Sequence, residues 1–430
     1  MRIYVHIGLE QVGAARLQNV LAAKRDQMIG KGVLFARSPG NKNHTRLFMA
    51  VTDPDHIDPL RYNRGYITAE KQAVLRDALT ADLAREVVQH SPETLILSCS
   101  QLGASLARTS ELERLRAMLL PLSNDIRIVA HVDEQGRLLA RHYADQVMEG
   151  RATSLELEAE MAGTPDWWDD CLLDAHKIDP QAGQFLETQT PAFWLDYPRL
   201  VTHWEGVFGP GTVSLRPYDE ALIYGEEATQ ELRAAFGISD AIGKAEPAHA
   251  PVQPSEAWLS RARQLNALLL RVLAGRKRIL PRILWRRLIN EIKIEGDALD
   301  PACLGEIAKT FEAANATLLT DHPALTADLF KRDRAKTPWS SEADPGNGYR
   351  ASQYLLAFMY RIDKATQDER KAKATDLARL KQGTALADDA GHDAQESSLK
   401  VNGLSPVAER ILPPLAKQNY EKLLTSSFKP

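Results

Sequence analysis

The chain has 430 residues, 44% hydrophobic and 26% charged, with a formal net charge of −4, ordinary values for globular material. That balance gives no electrostatic basis for nucleic-acid binding, and no stretch approaches the roughly 18 apolar residues of a membrane span. Cys99, Cys171 and Cys303 lie far apart without a CxxC pair, which excludes a disulfide framework and a thiolate zinc site. The N-terminus reads as a strand, not as a charged region followed by an apolar one, so the expected location is cytoplasmic.

The first predicted element is that strand, with Ile3, Val5 and Ile7 at alternate positions. Gly8 and Gly13 bound the turn after it, and from Ala14 to about Lys31 the spacing is helical through Leu17, Val20 and Leu21. A buried strand, a glycine-bounded turn and a helix opening from that turn form a phosphate cradle. The backbone N–H groups of about Val12 to Ala15 converge there at the positive end of the helix dipole. The spacing matches the GxxxxG half of a Walker motif, but Ala14 and Ala15 occupy its Lys and Ser/Thr positions, which argues against an NTP hydrolase. An ordinary strand-to-helix turn carries the same signature.

Val33 to Ala36 reads as a second strand, and Arg37 to His44 as a polar loop of turn formers. A helix follows at about Ala69 to Gln89, its stripe formed by Val74, Leu75, Leu79, Leu83 and Val87. Thr94 to Ser98 is a buried-strand run, Leu112, Leu115 and Leu119 mark another helix, and Asp125 to Val132 is a further core strand. This alternation predicts an α/β fold, a parallel sheet with helices on both faces. Gly8, Ser98 and Asp133 then fall beyond the carboxyl ends of their strands, where such sheets bind ligands. Arg137 and Arg141 share a helix face with Asp133. Asp133 with Arg137 makes a surface ion pair of little energetic weight; alternatively Arg16, Arg137 and Arg141 build an anion site.

Trp167 and Trp168 either stack on a sugar or adenine ring or divide between core and surface. Ser239 to Ser255, rich in Pro and Ala, reads as a linker or long surface loop. The organisation expected is an α/β core over 1–238, a linker at 239–255, an all-α extension over 256–381, disorder at 382–402, and a helical tail at 403–430. Within the extension, Arg271 to Arg287 holds seven cations among Leu, Ile and Trp285. Such a segment takes an acidic protein or an anionic membrane surface, with Trp285 as apolar anchor. It also suits a helix pair broken at Pro281, its arginines lying over the domain surface.

Three blocks resemble the bacterial branch of the PAPS-dependent sulfotransferases, PAPS being 3′-phosphoadenosine 5′-phosphosulfate. The first is His6-Ile7-Gly8-Leu9-Glu10-Gln11-Val12-Gly13-Ala14-Ala15-Arg16-Leu17-Gln18, similar to the family loop HIG-x-x-K-T-G-T-T-x-x-Q. His6, Ile7, Gly8, Gly13, Leu17 and Gln18 keep the frame. Gln11 stands at the family lysine, Val12 at a threonine, and Ala14 and Ala15 at the Thr pair. The second is IVAHVDEQGRLLARHYADQVMEG, from Ile128 to Gly150. Gln135, Tyr143, Gln146 and Gly150 keep its frame, while Asp133 stands where relatives place a 3′-phosphate-binding arginine and Arg141 in or beside their serine. The third runs from Leu195-Asp196-Tyr197 through Trp204, Phe208, Gly209, Val213, Arg216, Pro217 and Tyr218. The resemblance implies a P-loop-like α/β fold, transfer of a sulfuryl group from PAPS to a hydroxyl such as that of a carbohydrate, and His44 as catalytic base, with Lys42 and Arg46 as anion contacts. Charge-assisted contacts are worth roughly 1.5–3 kcal/mol each. Losing the Lys and Arg equivalents therefore costs about 3–6 kcal/mol, on the order of 10²–10⁴ in affinity. The expectation is a degenerate donor site on a binding or scaffolding module; the alternative is an active sulfotransferase with rebuilt anion contacts.

Overall fold

In a computed structural model the chain is described over residues 1–381, apart from 165, 174, 276–279, 281, 334–338, 340–344 and 347. The expectations for 382–402 and 403–430 lie outside the described residues, as does the part of the basic stretch at Arg276 to Arg278. The architecture is α/β. Five strands, β1 (Arg2–Gly8), β2 (Val33–Phe35), β3 (Thr94–Ser98), β4 (Ile126–Val132) and β5 (Val213–Pro217), form one sheet in the order β2-β3-β1-β4-β5. All neighbours are parallel, with Val5 opposite Leu97 on one side and Ile128 on the other.

Period-two alternation sends successive side chains to opposite faces. Leu95 and Leu97 join a core with Ile3, Val5 and Ile128, while Ile96 and Val129 join a second core with Leu17, Leu21, Phe35 and Phe236. Helices therefore cover both faces: Ala14–Ile29 and Ala228–Phe236 on the second, and Ala69–His90, Thr109–Leu119 and Gln135–Met148 among those on the first. The larger core continues without a break into the C-terminal helices Glu256–Gly275 and Ala351–Lys381, through Leu265, Leu269 and Phe358.

β1 lies at the centre, and the chain runs from it to opposite sides of the sheet. The crevice beyond its carboxyl end is the position at which such sheets receive ligands. Among the described residues, no helix is long and apolar enough to cross a membrane.

Two expectations change here. Trp167 and Trp168 are both buried: Trp167 donates its indole N–H to the Ala192 carbonyl at 2.9 Å, and Trp168 meets Phe193 edge-on at 4.5 Å. Neither ring is open for stacking on a ligand. Trp285, expected as an outward anchor, is also buried, donating to Asn266 Oδ1 at 2.8 Å and lying over Gly150. Its neighbours Arg286 and Arg287 pair with Glu149 and Glu291.

Candidate functional site

The turn between β1 and the first helix is set by backbone geometry. Gly8, Gln11 and Gly13 all have positive φ, at 97°, 59° and 76°. At Gly8 a side chain would come within 2.8 Å of Ser100 Cα, and at Gly13 within 2.7 Å of Ile223 Cγ2. Only glycine satisfies both constraints. Gly13 caps the helix with no side-chain hydrogen bond, so the helix start presents bare backbone. Val12 is fully buried; Ala14 and Ala15 line a crevice of about 200 Å³ with Glu10, Gln11 and Gly13.

Asp133 follows β4 and precedes the helix Gln135–Met148, whose first two turns bring Arg137 and Arg141 to it. Arg137 Nε donates to Asp133 Oδ1 at 3.1 Å and Arg141 Nη2 to Oδ2 at 2.6 Å. The pair with Arg137 expected at the surface is instead nearly excluded from water, with Asp133 only 4% exposed, because Tyr197 and the C-terminal segment close over it. Tyr197 Oη donates to the Asp133 carbonyl at 2.7 Å, and Arg137 reaches on to the Leu329 carbonyl at 2.6 Å. Arg137 therefore points away from the crevice.

Arg141 does line the crevice, but it is committed. Besides Asp133 it donates to the Gln11 carbonyl at 3.1 Å, and its guanidinium lies 5.0 Å over the Tyr218 ring. Arg16 is not in the crevice lining and donates to the carbonyls of Ile223 and Glu246. The three arginines are thus not brought together as an anion site.

Glu246 belongs to the segment read as a linker or long surface loop. That segment packs on the body: Ala245 and Ala248 donate backbone N–H groups to Glu226 and Tyr224, and Ile242 is buried. Its continuation places Ala250, Pro251 and Gln253 in the lining of the crevice. The other walls carry Asp145 from the Arg141 helix, Ser100 after β3, and Tyr218, Glu220 and Tyr224 after β5. Sequence reasoning missed Asp145, Glu220 and Tyr224 because no local motif marks them; Tyr218 was legible only as a frame position.

His44 is placed in the core rather than at the crevice. It is fully buried, its ring stacks on Phe35 at 4.7 Å, and its Nδ1 accepts the Ser98 N–H at 3.0 Å. Burial and the nearby Arg25 charge push its proton affinity down to about 3. Lys42 donates to Asn19 Oδ1, and Arg46 to the Ser38 carbonyl at 2.7 Å.

Beneath the turn runs a buried polar chain. Gln18 Nε2 lies 3.1 Å from Ser98 Oγ, Ser98 Oγ 2.8 Å from His6 Nδ1, and His6 Nε2 3.2 Å from His131 Nδ1. His131 Nε2 lies 3.0 Å from Glu231, which Arg216 clamps through two guanidinium nitrogens. Burial opposes the Glu231 charge, but Arg216 and His131 hold its carboxyl down to about 2. An ionised Glu231 only accepts, so His131 Nε2 donates to it. With His131 Nδ1 as acceptor, His6 donates from Nε2 and accepts the Ser98 hydroxyl proton at Nδ1. These satisfied groups make a rigid buried network. Among the described residues, no group of three or more His, Cys, Asp or Glu is placed to hold a metal ion.

No family model matches the chain, and no curated protein matches it. Among solved structures the chain is similar to a sulfotransferase from Alicyclobacillus acidocaldarius, at 14% identity over 67% of this chain and 99% of that one, with a TM-score of 0.36.

Proposed function

We propose that the chain is a sulfotransferase-like protein whose donor site has lost its phosphate contacts, and that it works as a binding or scaffolding module rather than by sulfuryl transfer. The observation that carries this reading is the double engagement of Asp133 by Arg137 and Arg141. A carboxylate stands where a phosphate-binding cation is needed, and it consumes the two cations beside it. A bisphosphate entering the crevice meets Glu10, Asp145 and Glu220 in its walls and the committed Arg141. The bare helix start offers only about half a unit of positive charge, too little to offset those carboxylates. These residues do not fit PAPS.

One observation favours the alternative, an active enzyme with rebuilt anion contacts: Arg141 is in the crevice wall. Calorimetric titration with 3′-phosphoadenosine 5′-phosphate separates the two. The degenerate-site reading expects no binding tighter than about millimolar. Micromolar affinity, abolished by Arg141→Met, establishes the alternative.

For the acidic protein or anionic membrane proposed at Arg271–Arg287, support narrows to exposed Arg271 and the positions outside the described residues. Sedimentation with anionic liposomes across a salt series tests it; capture unaffected by salt removes the proposal.

A further inference from the structure

The crevice that does not suit a phosphate has a lining of another kind. Asp145 and Glu220 face it from two different elements, and neither forms an ion pair among the described residues. Tyr218, whose hydroxyl donates to Glu220 at 3.2 Å, and Tyr224 line it too, and the methyl groups of Ala14 and Ala15 supply a small apolar surface. The protein already places a cation of its own against this surface, the Arg141 guanidinium over Tyr218. Carboxylates with aromatic faces and a small apolar surface are the chemistry that recognises an ammonium on a hydrocarbon stem.

We infer that the crevice between the β1 turn and the 250–253 segment binds a small organic cation, a primary ammonium on an apolar stem of a few carbons. The inference rests on the reading that the donor site is degenerate, and it names the ligand class of that same site. Size is consistent: about 200 Å³ lies below the usual range of roughly 300–1,000 Å³ for drug-sized ligands. The helix start at Ala14 opposes a cation with about half a unit charge, and the Arg141 guanidinium in the same lining is offset by its pair with Asp133, whereas Asp145 and Glu220 add two full negative charges. The ammonium is therefore oriented toward the carboxylates, with its stem on Ala14 and Ala15. Pro251 and Gln253 line it as well. Between Ala248, anchored to the Tyr224 carbonyl, and Ser255, whose hydroxyl donates to Ile294, their segment forms no hydrogen bond to the body among the described residues. A ligand can enter by displacing it.

The test compares butylammonium, butanol and butyrate, which share one stem and differ in charge. Each is titrated against the full chain at constant ionic strength by saturation-transfer NMR, alongside 3′-phosphoadenosine 5′-phosphate. Butylammonium is expected to bind saturably, at least about tenfold more tightly than butanol or butyrate. Asp145→Asn and Glu220→Gln are each expected to weaken it severalfold, while Asp77→Asn, on a remote exposed helix face, leaves it unchanged. Equal binding of the three stems, absence of saturable butylammonium binding, or equal weakening by Asp77→Asn overturns the inference while leaving the degenerate-donor reading intact. Micromolar nucleotide binding overturns both.

Discussion

Replacing Asp133 by Asn is the most direct probe of how the crevice is held. The variant keeps shape and the ability to accept hydrogen bonds but removes the one charge shared by Arg137 and Arg141, which approach it at 3.1 and 2.6 Å. Breaking a buried pair from one side costs about 3–5 kcal/mol. Here both guanidiniums are partly solvated and retain carbonyl acceptors, Arg137 at Leu329 and Arg141 at Gln11. The lower end, about 3 kcal/mol, is therefore expected. With an unfolding entropy of about 2.1 cal/mol/K per residue, 430 residues convert that to a drop of about 3–4 °C in Tm. Scanning calorimetry on the wild type, Asp133→Asn, Arg141→Met and the double variant measures the coupling directly. A loss below about 0.5 kcal/mol for Asp133→Asn, with no coupling to Arg141, would refute the reasoning and return the pair to the category of screened surface ion pairs. Asp133→Arg is not the complementary experiment, because it buries a third guanidinium against two others.

His56 gives a pH-dependent expectation. Burial works against its charge, but hydrogen bonds to Glu111 and Glu187, each 2.9 Å, raise its proton affinity well above 6.5. A raised folded-state value contributes stability that is complete below the unfolded value near 6.5 and is lost as pH rises through the folded value. Tm should therefore fall from about pH 7 upward, and His56→Gln, itself destabilising by about 3 kcal/mol near neutrality, should flatten that decline. An unchanged slope in the variant assigns the decline elsewhere. Asp58, raised to about 6 by burial and the Glu187 charge, acts in the same direction but below this window. Gly13→Ala imposes a left-handed backbone on alanine, about 1–2 kcal/mol, and drives Cβ to 2.7 Å from Ile223 Cγ2. A total on the order of 2–4 kcal/mol is expected in urea unfolding, partly relieved by Ile223→Ala; a neutral Gly13→Ala contradicts the packing described for the turn.

The sheet was legible where burial has a period. Thr94 to Ser98 reads as a strand and is one, and the strand expected from Asp125 begins at Ile126. β5 was not legible as a strand, because it is a short edge strand ending in Pro217 with one exposed residue inside it. The glycine-bounded turn was legible too, since Gly8 and Gly13 answer a local steric demand that no other residue meets. That Gln11, Ala14, Ala15 and Asp133 stand where the resembled family carries phosphate-binding side chains is also written in the chain.

What surrounds those positions was decided by tertiary structure. The sequence alone determined an α/β chain with a cradle-shaped turn and a carboxylate where a cation is expected, because periodicity and residue type act over a few positions. Which arginine neutralises Asp133, which one turns to Glu246, and which carboxylates remain to face the crevice depend on contacts between distant segments. Arg141 meets Gln11 across 130 residues, and Arg16 meets Glu246 across 230. His44 and Trp285 read as exposed chemistry in their polar or basic neighbourhoods, yet packing buried both. Charge pairing and burial are long-range properties, settled only when the helices after β4 and β5 and the 239–253 segment close around the end of β1.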